Sequence, residues 1–162
     1  MSELTQVLGR IERHGDEAAV VFDRHYATSP EDLWQACTDP ERLARWFAPV
    51  TGDLRPGGAF TIHFDDDDSP TCHVRSCEAP ALLVWEWPVR DVQTVVTVQV
   101  GADGAGARLR LRHERLAADH VPAYAAGWDT YVRALEAHVD GTRVPEWDVT
   151  WSALHELYAG AS

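Results

Sequence analysis

The stretch ARLRLRHERLAADHVPAYAAGWDTYVRALEAHVD, residues 107–140, carries two periods in succession. Up to Leu116 the period is two. Leu109, Leu111 and His113 fall on one side, while Arg108, Arg110, Arg112 and Glu114 fall on the other, so the spacing predicts a strand with one covered and one wet face. From Asp119 to Asp140 the period becomes helical. Val121, Tyr124, Trp128, Tyr131, Val132, Leu135 and Val139 step by three and four into one apolar stripe. Pro122 suits the first turn of this helix and Gly141 its end. A long amphipathic helix that follows a one-sided strand is expected to cover that strand's sheet. Gly127, inside the helix, costs about 1 kcal/mol relative to Ala, which a close approach of backbone or ligand would explain.

Moving toward the N-terminus, the β signal continues. VQTVVTVQV (92–100) and 107–116 flank the turn GADGAG, and ALLVWEW (81–87) puts Leu83, Trp85 and Trp87 on one face. TCHVRSCE (71–78) is another strand, ended by Ala79-Pro80. Before the turn DDDDSP, residues 58–64 alternate Phe60, Ile62 and Phe64 with polar residues. AAVVFDRHY (18–26) reads as the first strand. Val20, Phe22, Arg24 and Tyr26 share a face there. Between that strand and the rest lie two short helices. Ser29 caps one, with Pro30 at its first position, and Asp39-Pro40 repeats the signal. Leu33, Trp34 and Cys37 form one side of the first helix, and Leu43, Trp46 and Phe47 one side of the second. In residues 1–15, Leu4, Val7, Leu8 and Ile11 recur at helical spacing as a separate amphipathic segment. After TRVPEW a short helix near 148–159 presents Trp147, Trp151, Leu154 and Tyr158. The division expected is an N-terminal segment 1–15, a domain 16–141 and a C-terminal extension 142–162.

Composition narrows the partners. At 162 residues one domain is the simplest organisation. A formal net charge of −12 argues against nucleic acid and against anionic membranes. No apolar run is long enough to span a bilayer and the N-terminus has no signal-peptide hydrophobic region, so a cytoplasmic protein is expected. All 14 basic residues are Arg, and the chain has neither Lys nor Asn, which points to a high-GC bacterial coding sequence. Without Lys there is no Schiff-base lysine, P-loop lysine or Ser-Lys dyad. Cys72 and Cys77, an odd number apart in a strand, are expected on opposite faces, so neither a disulfide nor a shared metal is natural. Cys37 reads as a small core residue.

Five segments, PEDLWQACTDPERLARWFAP (30–49), GDLRPGGAF (52–60), EAPALLVWEW (78–87), GARLRLRHERL (106–116) and AAGWDTYVRAL (125–135), together resemble the SRPBCC or START-like helix-grip superfamily. Within it they are most similar to bacterial relatives of the activator of heat-shock-protein-90 ATPase, C-terminal domain. The resemblance spans roughly residues 18–139. It implies an α+β fold: a curved antiparallel sheet wrapped around a long C-terminal helix, with two short helices after the first strand. It also implies a cavity between sheet and helix. The eukaryotic activator has a separate N-terminal domain for its chaperone contact, whereas only residues 1–15 precede the first strand here.

The cavity supplies the candidate ligand-binding residues. They are Arg24, Tyr26, Phe60, Ile62, Trp85, Trp87, Val98, Leu111 and His113 on the sheet, Trp34, Trp46 and Phe47 at the short helices, and Tyr124, Trp128 and Tyr131 on the long helix. Sequence leaves open which rings line space and which fill it. Arg24 and His113 join an otherwise apolar face. Unless it lies at a strand end near solvent, Arg24 calls either for an anionic ligand group or for an internal acid such as Glu86 or Asp129. His63, His73 and Asp65–Asp68 gather at one hairpin, but a run of Asp reads more naturally as a solvated turn than as a metal site. GADGAG precedes a strand, so it fails as a phosphate loop. No catalytic residue, metal or cofactor is assigned. The expected function is non-catalytic binding of a small apolar or aromatic molecule, in stress or metabolism. The alternatives are a polyketide cyclase- or dehydratase-type enzyme using His113 with Arg24, Tyr124 or Glu86, and a chaperone-ATPase regulator. The Trp-rich C-terminal helix could serve a homodimer contact or pack on its own sheet.

Overall fold

The computed structural model describes residues 8–161. The order is β1 (Arg10–His14), β2 (Glu17–Tyr26), α1 (Pro30–Thr38), α2 (Pro40–Trp46), β3 (Val50–Gly52), β4 (Ala59–Ile62), β5 (Thr71–Glu78), β6 (Leu82–Val89), β7 (Val92–Asp103), β8 (Gly106–Ala117), α3 (Val121–Asp140) and α4 (Trp147–Ala161). The strands form one eight-stranded antiparallel sheet in the order β1-β2-β8-β7-β6-β5-β4-β3. It curves around α3, as in the helix-grip fold. The connection that departs from simple hairpins before the sheet closes is β2 to β3, and α1 and α2 occupy it.

The alternation in β8 is what seats α3. Leu109 and Leu111 are buried and His113 is fully so, while the Arg side carries ion pairs of Arg108 with Asp23 and Arg112 with Glu12. Ala125, Trp128, Val132 and Leu135 of α3 lie against that inner face, and Gly141 ends the helix in the left-handed region at φ 71. The short helices start as their caps dictate. The Ser29 hydroxyl accepts from Asp32 N at 3.1 Å, and the Asp39 carboxylate accepts from Glu41 N at 3.1 Å. Helices this short need outside support. The Trp46 indole supplies it by donating to Ala36 O at 2.8 Å, which ties α2 to α1.

Three expectations need correction. Ile11 belongs to a strand, opposite Val20, because β2 offers an unpaired edge and Gly15 turns at φ 64; Leu4 and Val7 lie outside the described residues. Cys72 and Cys77 both pack toward the core. A bulge between Val74 and Ser76 inserts a residue and resets the alternation. The strand expected at 58–64 ends at Ile62. His63 N then donates to Pro49 O at 2.8 Å and Phe64 N to Asp68 O at 3.1 Å, which curls the hairpin tip toward the helices.

α4 is part of the packed domain. Leu154 and Tyr158 are buried against α3, and the Tyr158 hydroxyl donates to the Asp129 carboxylate at 2.7 Å while accepting from Gly9 N at 2.6 Å. Among the described residues no helix is long and apolar enough to cross a membrane.

Candidate functional site

The space under α3 is nearly filled. Leu43, Trp46, Phe47, Phe60, Trp85, Leu109 and Trp128 are among the residues around an internal cavity of only about 40 Å³. The usable space lies at the mouth of the grip, in an open cleft of about 610 Å³. That volume falls in the range of small-molecule sites. One wall is the end of α2, Ala44 to Phe47. The second is the curled hairpin with His63, Phe64, Asp65 and Asp68. α3 contributes Tyr124, Gly127, Trp128 and Tyr131, and Trp87 stands on the sheet side. Val144, Pro145 and Trp147, from the link into α4, close the rim.

The cleft is built from rings in contact. Phe47 stacks on Trp128 at 5.8 Å between centroids and meets Tyr131 edge-on at 4.7 Å. Phe64 stacks on Trp87 at 5.6 Å, and Tyr131 meets Trp147 at 4.5 Å. Flat apolar faces therefore border the space from the sheet, the hairpin and α3, an arrangement suited to stacking on a planar guest. Charge is distributed unevenly around them. Arg45 lies on the α2 wall, and Asp65 and Asp68 lie on the hairpin wall. Burial, and then the Asp68 carboxylate, raise the Tyr124 and Tyr131 hydroxyls above their ordinary pKa, so both are neutral donors at physiological pH.

His113 lies behind the cleft and fixes its walls. The Trp128 indole donates to Nδ1 of His113 at 2.9 Å. Nε2 lies 2.7 Å from the Thr94 hydroxyl, which itself donates to Trp87 O at 2.6 Å. With that hydroxyl proton committed, Nε2 is the donor and the ring is neutral. Burial pushes its pKa down to about 3. Trp87 stacks on the imidazole at 5.0 Å. One neutral histidine thus orients both tryptophans, with neither ring nitrogen turned toward the cleft.

The residues chosen from sequence divide three ways. Trp46, Phe47, Trp87, Tyr124, Trp128 and Tyr131 line the cleft. Phe60, Trp85, Val98 and Leu111 border the small internal cavity instead. Tyr26, Trp34 and Ile62 are core, and the Tyr26 hydroxyl donates to Val132 O at 3.1 Å. Arg24 borders neither space: its guanidinium stands 3.9 Å from the buried Asp129 carboxylate, which Arg133 also meets at 2.8 Å. The internal acid expected as a partner for Arg24 is present as Asp129. Glu86 is paired with Arg75 at 2.9 Å on the far face. At the hairpin, His63 bonds Thr51 at 2.8 Å while His73 stands exposed on β5. Among the described residues no group of three or more His, Cys, Asp or Glu could hold a metal ion.

The ligand-binding residues chosen from sequence leave out Arg45, Phe64, Asp68 and Trp147, which also line the cleft. Phe64 was visible as an alternating apolar residue, but its place in the cleft depends on the hairpin curl. The rim position of Trp147 depends on the path of the link before α4, for which no periodicity exists.

Fold and cleft together define a helix-grip protein with a ring-lined cleft at the mouth of the grip. Residues 27–140 match the family described as Activator of Hsp90 ATPase homolog 1-like protein, and the chain belongs to that family. Among solved structures it is similar to CalU16 from Micromonospora echinospora, with 25% identity, a TM-score of 0.77, and 94% of this chain and 93% of that one covered. Protein MLL2253 from Mesorhizobium loti shares 27% identity at a TM-score of 0.70, covering 77% of this chain and 98% of that one. DynU16, a protein of the dynemicin biosynthetic locus, shares the fold at 20% identity and a TM-score of 0.73, covering 80% and 50%. None of the curated proteins matches the chain.

Proposed function

We propose that the protein binds a small planar aromatic or apolar molecule in the cleft at the mouth of the grip, without transforming it. The observation that carries this reading is the cleft of about 610 Å³ bordered by Phe47, Phe64, Trp87, Trp128, Tyr131 and Trp147. Such a ring lining offers stacking to a guest's faces, while the Tyr124 and Tyr131 hydroxyls and Arg45 offer hydrogen bonds to its polar edge. Binding rather than catalysis is supported by His113, whose two nitrogens are both engaged within the fold. A protein of the same fold in a biosynthetic locus fits a small-molecule partner.

The test is thermal unfolding and intrinsic Trp fluorescence against a panel of naphthols, flavonoids and aromatic polyketides. A ligand at 100 times its Kd should stabilise the fold by about 2.7 kcal/mol. A panel without a single shift in either signal would reject the reading. Turnover of a bound compound, lost on Tyr124→Phe, would replace it with the enzyme.

A further inference from the structure

Three side chains border both the cleft and the internal cavity beneath it: Trp46, Phe47 and Trp128. They form the partition between the two spaces. Two of the three are pinned. Trp46 donates its indole proton to Ala36 O at 2.8 Å, and Trp128 donates its own to His113 at 2.9 Å. Turning either indole would leave a buried donor and its acceptor unpaired. Phe47 has no polar side-chain atom. Its ring is held by contacts alone, with Trp46 at 5.6 Å, Phe64 at 5.8 Å, Trp128 at 5.8 Å and Tyr131 at 4.7 Å. It also sits at the end of α2, with φ −112 and ψ −88, where the helix no longer confines the side chain.

We propose that Phe47 is the specificity-determining side chain of this site, a shutter that sets its depth. In the closed position it confines guests to the cleft. Turned aside, it opens a path into the space bounded by Leu43, Phe60, Trp85, Leu109 and Leu111, and the volume left by its own ring adds to the cavity there. The ligand class that would use this depth is an aromatic head with a short unbranched alkyl arm. The head stays among the rings of the cleft, and the arm meets only apolar walls. The inference rests on reading the cleft as a ligand site.

The experiment is calorimetric titration of the full chain with 2-naphthol and its methyl, ethyl and propyl derivatives, comparing wild type with Phe47→Ala and Phe47→Trp. In Phe47→Ala each added methylene should tighten binding about fourfold, the gain for complete burial. In Phe47→Trp the derivatives should bind no better than 2-naphthol, with wild type between. Equal dependence on arm length in all three proteins would overturn the proposal. Should Phe47→Ala fail to fold, Phe47→Leu takes its place with the same expected order. If 2-naphthol and all its derivatives bind none of the proteins, the cleft is not a site for such ligands and the inference falls with it; uniform binding regardless of arm length removes the shutter alone.

Discussion

Replacing His113 by Gln should flatten the dependence of stability on acid. The histidine is 0% exposed and its pKa is pushed down to about 3 by burial. In the unfolded chain the same group titrates near about 6.5. Between these two values the unfolded chain takes up a proton that the folded one refuses, so folding weakens as the pH falls. The limiting slope is about 1.4 kcal/mol per pH unit, and between pH values of roughly 6.5 and 4.5 the integrated loss is about 2 kcal/mol. Geometry explains why the folded state refuses the proton: a charged ring would aim an N–H at the Trp128 indole donor. The titratable group facing His113 is Tyr124, at 5.6 Å. Glu12, Asp23 and Asp32, whose carboxyls are held low by hydrogen bonds to Arg112, Arg108 and Arg42, also lose stabilising charge in acid, but they do so equally in both proteins. Urea unfolding followed by far-ultraviolet circular dichroism at the two pH values measures the difference. Wild type should lose about 2 kcal/mol more than His113→Gln. Parallel losses would refute the buried, neutral imidazole.

Other outcomes follow from particular contacts. Gly127→Ala should raise stability by about 0.5–1 kcal/mol in thermal unfolding, because a Cβ there meets only the Trp151 indole nitrogen at 3.9 Å. Tyr158→Phe should cost about 1–3 kcal/mol, since its hydroxyl serves both the buried Asp129 carboxylate and Gly9 N. Native thiol titration at mildly alkaline pH should modify Cys77 first, because burial pushes the Cys37 and Cys72 thiols up to about 12. Trp87→Leu should weaken 2-naphthol at least tenfold by removing one face of the cleft, about 1.4 kcal/mol, read by calorimetry.

The fold was legible because its signals are local and mutually consistent. The period-two run of β8 and the stripe of α3 place sheet against helix without knowledge of any tertiary contact. Ser29 and Asp39 likewise mark two helices where a single longer one was conceivable. The site was legible only as a set of rings. Alternation assigns Trp85 and Trp87 to the same face, yet Trp85 borders the filled interior and Trp87 the open cleft. What separates them is position along the strand relative to α2 and α3, a tertiary fact. Arg24 shows the same limit. Its inward direction could be read from the strand, but its pairing with Asp129 depends on how α3 lies across β2. The bulge that turns Cys77 inward has no composition signal, since Arg75 and Ser76 fit either register.

On the proposed reading the mouth of the grip receives the aromatic head of the guest, and only an alkyl arm reaches the interior. The most direct measurement follows the indole N–H resonances of the isotope-labelled protein during titration with 2-naphthol. Trp87, Trp128 and Trp147 border the cleft and should shift together with one saturation curve, while Trp34, buried away from it, stays in place. Shifts confined to Trp34 and Trp151, or no saturable shift at all, would contradict the account.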